Sequence, residues 1–288
     1  MSYRSVFQSG LFDGELHVVT GGGSGIGRCA AHELSSLGAR VALVGRSREK
    51  LERVQAEIGD AGGEASIHPL DIREEDGVRE VVSAIVSEHG RIHGLVNNAG
   101  GQYPSPLSAI SKKGFEAVVR TNLVGGFLMA RECFNQSMQA EGGSIVNIVA
   151  DMHNGMVGMG HSGASRAGMV NLTKTAAVEW APYGVRVNSI APGWIASSGL
   201  DRYDESIKSV LRRLHEAVPM KRLGTESEIS AAIVFLLSRA SSFTSGICLN
   251  VDGAAPLASL VWTTPDHDRA PSFDAFHLSE KPKVLRDE

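Results

Sequence analysis

Seven short runs dense in apolar and β-branched residues punctuate the chain: ELHVVT (15–20), ARVALVG (39–45), ASIHPLD (65–71), IHGLVNN (92–98), SIVNIV (144–149), RVNSIA (186–191) and ICLNV (247–251). They alternate poorly between apolar and polar positions, as strands do when both faces of a sheet are covered. The longer stretches between them read as helices. Over 26–37, for example, Ile26, Ala30, Leu34 and Leu37 share one face and Gly38 supplies the stop. Strand–helix–strand order repeated in this way predicts a doubly wound α/β fold: a seven-stranded parallel sheet with right-handed crossovers, flanked by helices. The pattern runs unbroken from about 15 to 252, so one domain is expected over 1–255.

Two segments depart from the rhythm. Residues 194–222 form an insertion with Ile207, Val210, Leu211 and Leu214 on one side. In an open α/β sheet such an insertion overhangs the carboxyl ends of the strands, where ligands bind. Residues 256–288 carry four of the ten prolines and mixed charges, and are expected as an irregular C-terminal extension on the domain or on a partner subunit.

Composition narrows the function classes. The formal charge is −4, which gives no electrostatic case for nucleic acid or an anionic membrane. No apolar run approaches the ~18 residues that span a bilayer. The first residues hold no apolar signal core, and three scattered cysteines (Cys29, Cys133, Cys248) suit a reduced, cytoplasmic setting. There is no HExxH motif or cysteine pair, so no metal is expected. Glycine is enriched, at 33 of 288 residues, and many of these glycines stand at strand ends.

The first strand leads into Thr20-Gly21-Gly22-Gly23-Ser24-Gly25-Ile26-Gly27 and then a helix. Such a turn aims backbone N–H groups and the positive helix end at a diphosphate, and side chains would block the approach. Dinucleotide binding is the expected function of this turn. An acidic residue at the end of the second strand would hold ribose hydroxyls, as NAD requires. This chain has Arg46 there, which can fork onto a 2′-phosphate. NADP(H) is therefore the expected cofactor.

With Asp71-Ile72, Asn97-Asn98-Ala99-Gly100, Asn122 in Thr-Asn-Leu, and Pro192-Gly193 added to that turn, the chain resembles the short-chain dehydrogenase/reductase family over about 12–255. The resemblance implies a Rossmann-type domain in which Gly21, Gly23, Ser24, Gly25, Ile26 and Gly27 face the diphosphate. It also implies that Asp71 and Ile72 flank adenine, that Asn98, Ala99 and Gly100 line the cofactor, and that Pro192, Gly193 and Ile195 lie on the nicotinamide side. It further implies a homotetramer packed through helices near 112–138 and 161–183. The family's catalytic signature is a tyrosine four residues before a lysine, with a serine upstream. Here the matching segment is His161-Ser162-Gly163-Ala164-Ser165-Arg166, which puts Ser162 at the tyrosine and Arg166 at the lysine. The upstream serine falls at Val149 or Ala150, so only Asn122 is retained.

A phenol with pKa about 10 can be brought toward neutrality by a neighbouring cation, whereas a serine hydroxyl cannot without a strong base. Alcohol oxidation thus loses its base, while Arg166 can still reach ribose hydroxyls. Reduction of a double bond conjugated to a thioester tolerates the loss: it needs an oxyanion donor and a proton source at the α carbon. Residues 97–102, 142–148, 161–168 and 265–268 resemble the trans-2-enoyl-CoA reductase and 2,4-dienoyl-CoA reductase-like branch. The chain ends Leu-Arg-Asp-Glu, which is no peroxisomal address. Asp151, His153, His161 and Tyr103 are further candidates near the site. The expected activity is NADPH-dependent reduction of 2-enoyl-CoA or dienoyl-CoA thioesters, with Ser162, Arg166 and Asn122 as catalytic residues. The alternatives are an NADP-linked terpenoid or lipid alcohol dehydrogenase with His161 as base, and an inactive NADPH-binding interaction subunit. Gly160-His161-Ser162-Gly163-Ala164 nearly matches a hydrolase elbow, but that elbow needs its serine directly after a strand.

Overall fold

The computed structural model describes residues 2–204, 207–259 and 261–286; two positions of the 194–222 insertion and the last two residues of the tail lie outside the described residues. Seven strands appear where the apolar runs stand: β1 (Leu16–Thr20), β2 (Arg40–Gly45), β3 (Glu64–Pro69), β4 (Gly94–Asn97), β5 (Gly143–Ile148), β6 (Val185–Pro192) and β7 (Cys248–Val251). All pair in parallel, in the order β3-β2-β1-β4-β5-β6-β7. The order reverses between β1 and β4, which opens a crevice at their carboxyl ends.

Helices α1 (Gly25–Ser36), α2 (Arg48–Asp60) and α3 (Glu75–His89) connect the first four strands. Between β4 and β5 the chain forms a nearly continuous helical rod. Its α-helical pieces α4 (Lys112–Val119), α5 (Gly126–Cys133) and α6 (Gln139–Glu141) are joined by π-helical turns at Arg120–Gly125 and Phe134–Met138. Helices α7 (Gly160–Glu179), α8 (Lys208–Ala217) and α9 (Glu226–Leu237) complete the set.

The sheet is covered on both sides, which explains the weak alternation of its strands. On one side Val19, Val41 and Leu43 pack with Ala30, Leu34, Leu51, Ile229 and Ile233 from α1, α2 and α9. On the other, Leu16, Val18, Ala42 and Val44 meet Val78, Val82, Leu128, Met129 and Ala176 from α3, α5 and α7. The start of α9 is fixed by a reciprocal cap: Thr225 Oγ1 accepts the Glu228 N–H (3.1 Å) and the Glu228 carboxylate accepts the Thr225 N–H (2.9 Å).

The insertion folds back on itself. Ile195 pairs with Gly224 in a short parallel bridge, so the segment leaves β6 and returns to α9 through one neck. Leu200, Leu211 and Leu214 form its small core with Trp194, Tyr203 and Ile207. Val210 does not join them. It is 60% exposed, because the buried stripe runs through 207, 211 and 214 and position 210 falls at its edge.

The tail is irregular, as expected, but firmly held. The Ser227 hydroxyl accepts the N–H groups of Ala275 and Phe276 (both 3.1 Å), and Phe276 is buried beside Tyr3 and Cys29. Farther on, Val284 packs into the core of the insertion and its N–H donates to Asp201 Oδ1 (3.0 Å). No helix among the described residues is long and apolar enough to cross a membrane.

Candidate active site

The crevice is built from the β1 end outward. Thr20 Oγ1 donates to the Val96 carbonyl (3.2 Å) and accepts the N–H groups of Asn98 (2.9 Å) and Ala99 (3.0 Å). One buried hydroxyl thus locks the β4 exit against the β1 exit. Gly21 and Gly25 adopt left-handed backbone (φ +67° and +59°), which glycine alone takes without strain. At Gly27 a Cβ would lie 2.4 Å from the Gly21 carbonyl and 2.5 Å from Asn98 Nδ2. The turn therefore folds tightly onto the start of α1, whose first N–H groups lack helical partners and carry the positive end of the helix.

At the β2 end, Arg46 is exposed and makes no ion pair among the described residues. The neighbouring carboxylate, Asp71, is taken by Arg73, whose Nε donates to both oxygens (2.9 and 3.1 Å) and which holds the Asp71 pKa below its ordinary value. Ile72 is buried against Gly125, with both its side chain and its carbonyl oxygen close to that glycine. After β6, the Pro192 carbonyl accepts the Asp151 N–H (3.0 Å). Gly193 packs so tightly on Asp252 that a Cβ would lie 2.7 Å from the Asp252 Cα.

The α7 side brings four expected residues to the 98–102 turn. Arg166 is buried, and its Nη1 donates to the Ile148 carbonyl (2.7 Å). Its other terminal nitrogen lies under Gly100, where a Cβ would sit 2.5 Å away. Burial lowers its pKa to about 10, so it stays a cation at neutral pH. Its Nε has no partner, and no carboxylate forms an ion pair with it among the described residues. Asn122, in the first π-helical turn, uses both ends of its amide on Gly101: Oδ1 accepts the N–H (2.9 Å) and Nδ2 donates to the carbonyl (3.0 Å). It therefore holds the turn in place rather than offering a free group to a substrate.

Ser162 is fully buried and its hydroxyl donates to Gln102 Oε1 (2.7 Å). The His161 ring, also buried, accepts the Ser162 N–H at Nδ1 (2.9 Å), which places its own proton on Nε2. That Nε2 has no partner. The half-exposed Tyr103 ring meets His161 edge-on, with centroids 4.5 Å apart.

Asp151 and His153 are not part of this group. The Asp151 carboxyl is raised above its ordinary pKa by burial and by Asp252, and it makes no hydrogen bond to Ser162 or His161 among the described residues. His153 is exposed and pairs with Asn250 (3.2 Å). The hydrolase arrangement does not form, because β5 ends at Ile148 and Ser162 lies in the first turn of α7. Two residues that sequence reasoning gave no role do belong here. Gln102 binds Ser162, and Tyr203 of the insertion accepts Gln102 Nε2–H (3.0 Å). Gln102 stands at the end of the recognisable Asn-Asn-Ala-Gly-Gly run, whereas nothing in the sequence marks Tyr203.

These features fit a nicotinamide dinucleotide: a glycine cradle that a Cβ would fill, an unpartnered helix N-terminus, and a buried arginine with an unpaired N–H. The family described as Enoyl-(Acyl carrier protein) reductase matches residues 21–254. The chain belongs to the short-chain dehydrogenase/reductase family and is an oxidoreductase of that class. Solved structures of similar fold carry NAD⁺ in one case and NADPH in another, and the fold is one that binds a nicotinamide cofactor. Among relatives, the chain is 37% identical over 243 residues to a probable 2,4-dienoyl-CoA reductase of Bacillus subtilis, covering 82% of this chain and 94% of that one. It is 35% identical over 256 residues to a peroxisomal 2,4-dienoyl-CoA reductase of mouse (Mus musculus), covering 88% and 87%. Among solved structures it is similar to the citronellol catabolism dehydrogenase AtuB of Pseudomonas aeruginosa. That match has 60% identity and a TM-score of 0.80, and covers 88% of this chain and 99% of that one.

Proposed function

We propose that this protein is an NADPH-dependent reductase of 2-enoyl-CoA or 2,4-dienoyl-CoA thioesters. The observation that carries the reading is the state of Ser162 and His161. A buried hydroxyl and an Nε2–H stand at the start of α7, and both are hydrogen-bond donors rather than bases. The likeness to dienoyl-CoA reductases supports the same substrate class.

The glycine turn, the first N–H groups of α1 and Arg166 would hold the dinucleotide. Arg46 supports the phosphorylated form: it is an exposed guanidinium without an ion-pair partner among the described residues, it stands where a carboxylate would take ribose hydroxyls, and the neighbouring Asp71 is clamped by Arg73. When bound, NADPH would supply a hydride, to the β carbon of a 2-enoyl thioester or the δ carbon of a 2,4-dienoyl thioester. Negative charge would then gather on the thioester oxygen, with the Ser162 hydroxyl as its hydrogen-bond donor, and the resulting enolate would take a proton from water. Asn122 keeps the 98–102 turn, and with it Gln102, in register with α7. Apolar residues left exposed on the helical rod and α7 (Phe115, Val124, Phe127 and Val178) support assembly as a homotetramer.

The likeness to AtuB favours a second reading, a dehydrogenase of a terpenoid alcohol. That chemistry needs a base at the carbinol. His161 is poorly set for the role, since its Nδ1 already accepts a backbone N–H. The test follows NADPH absorbance with crotonyl-CoA and decenoyl-CoA, then with aldehydes and ketones of matched chain. Turnover of the thioesters alone is expected. Turnover of carbonyls alone would establish the second reading, and tight NADPH binding with no turnover would leave an inactive binding subunit.

A further inference from the structure

The Ser162 hydroxyl is one end of a chain of three groups drawn from three separate segments. Ser162 opens α7, Gln102 lies in the turn after β4, and Tyr203 belongs to the insertion after β6. Ser162 Oγ–H donates to Gln102 Oε1 (2.7 Å), and Gln102 Nε2–H donates to Tyr203 Oη (3.0 Å). The Tyr203 ring packs with Leu200 and Trp194 in the core of the insertion, so the phenol arrives with that element.

Read as they stand, these protons run the wrong way for the proposed chemistry. The serine proton is committed to Gln102 and is not free for a substrate oxygen. The primary amide is the link that can reverse. A half-turn about its last side-chain bond exchanges Oε1 and Nε2, which have nearly the same size and opposite hydrogen-bonding character. Tyr203 O–H then donates to Oε1, Nε2–H donates to Ser162 Oγ, and the serine proton points out of the chain. Each hydrogen bond of the chain is replaced by another of its kind and Tyr203 O–H gives up only a weak bond to Met159 Sδ (4.0 Å), so the reversal itself costs little. A bond from the released serine proton to an oxyanion is charge-assisted and stronger than the one given up. No covalent bond changes in the relay: every O–H and N–H keeps its hydrogen.

We propose that Gln102 and Tyr203 are positioning residues, a reversible amide relay through which the insertion releases the Ser162 proton to the developing enolate oxygen of the substrate. The proposal rests on the reading of Ser162 as donor to a thioester enolate. It ties that donor to the residues that cover the substrate, so the oxyanion site is complete only when Tyr203 is in place.

A double-mutant cycle tests it with decenoyl-CoA, measuring kcat, KM and NADP⁺ affinity for the wild type, Ser162→Ala, Tyr203→Phe and the double variant. Each single change is expected to lower kcat by about tenfold, the scale of one lost hydrogen bond to charge. NADP⁺ affinity stays put, which also reports an intact fold. In the Ser162→Ala background, Tyr203→Phe is expected to change kcat by less than about twofold, the margin within which such effects are equal to none. Gln102→Glu adds a directional check: an ionised carboxylate can only accept, holds the serine proton where it is, and is expected to lose at least as much as Ser162→Ala. Equal losses from Tyr203→Phe in both backgrounds would reduce Tyr203 to packing and overturn the relay. So would an unchanged kcat in Tyr203→Phe or Gln102→Glu. If Ser162→Ala alone leaves kcat unchanged, the donor reading has failed first and the relay falls with it.

Discussion

Glu226 gives the sharpest quantitative test of the structure. It is the first residue of α9, its side chain is mostly covered, and it makes no hydrogen bond or ion pair among the described residues. Burial pushes its carboxyl from 4.5 up to about 7; Arg28 opposes the rise and Asp274 adds to it. The folded chain therefore keeps this proton to about pH 7, while the unfolded chain releases it near 4.5. Below that lower value both states are protonated and the group contributes nothing. Between the two values the folded state binds more protons, so stability falls as pH rises, and above about 7 the whole penalty is present. The interval corresponds to at most about 3 kcal/mol. Glu226→Gln removes the ionisation. At pH 8.5 the variant is expected to be more stable by about 2–3 kcal/mol, a rise in Tm of about 5–10 °C for a chain of this size, and near pH 4 the two proteins should melt together. Thermal scans of both proteins in matched buffers at several pH values read this difference directly. A constant offset at all pH values, or a less stable variant at pH 8.5, would refute the account. The same carboxylate lies beside the glycine turn, with Oε1 3.8 Å from where a Gly25 Cβ would stand. Its charge should therefore weaken NADP⁺ binding at pH 8.5 and not near pH 5, and the variant should lose that dependence.

Three more outcomes follow from contacts already described. Gly27→Ala must push the turn off Asn98, and is expected to lower NADP⁺ affinity by about tenfold or more and stability by about 1–3 kcal/mol; an unchanged fluorescence titration contradicts the cradle. Arg46→Asp should raise the Kd for NADPH by at least about tenfold while sparing NADH, and equal losses for both would remove Arg46 from phosphate recognition. Arg222 donates to Glu228 (2.6 and 2.9 Å) and to the carbonyls of Ala270 (2.7 Å) and Pro271 (3.1 Å), so Arg222→Met should loosen the tail. Limited trypsin digestion ought then to cut near Arg269 first, and a tail as resistant as the wild type's would show that other contacts hold it.

The inner strands were legible because residues covered on both faces must be apolar at nearly every position, and their short length and β-branched residues set them apart from buried helix. The glycine turn was legible for a similar reason: Gly21 and Gly27 answer to backbone and neighbour contacts within one short loop. Pattern reading failed where partners come from far along the chain. Gln102 and Tyr203 meet across 101 positions, and only the folded insertion brings them together. Asn122 could be placed by its neighbours in sequence, but not its spent amide, since Gly101 lies on another element. Val210 misled because an apolar residue at the edge of a helical stripe looks like a member of it. The tail's prolines and charges concealed Phe276, a buried ring that packs with Phe273, Ala275 and Leu278.

The rod between β4 and β5 has one more implication, for how such a chain tolerates change in length. Each π-helical turn carries one residue more than an α-helical turn would over the same rise. That surplus lets Asn122 reach Gly101 while Leu128 and Met129, farther along, still face the sheet. Deleting a residue from 120–125 would restore ordinary winding and leave Leu128 and Met129 facing the sheet, but it would remove the local geometry that lets Asn122 reach Gly101. A surface loop absorbs gains and losses of codons freely; this helix can absorb one only at its wide turns, and at the first of them the cost is the brace on Gly101.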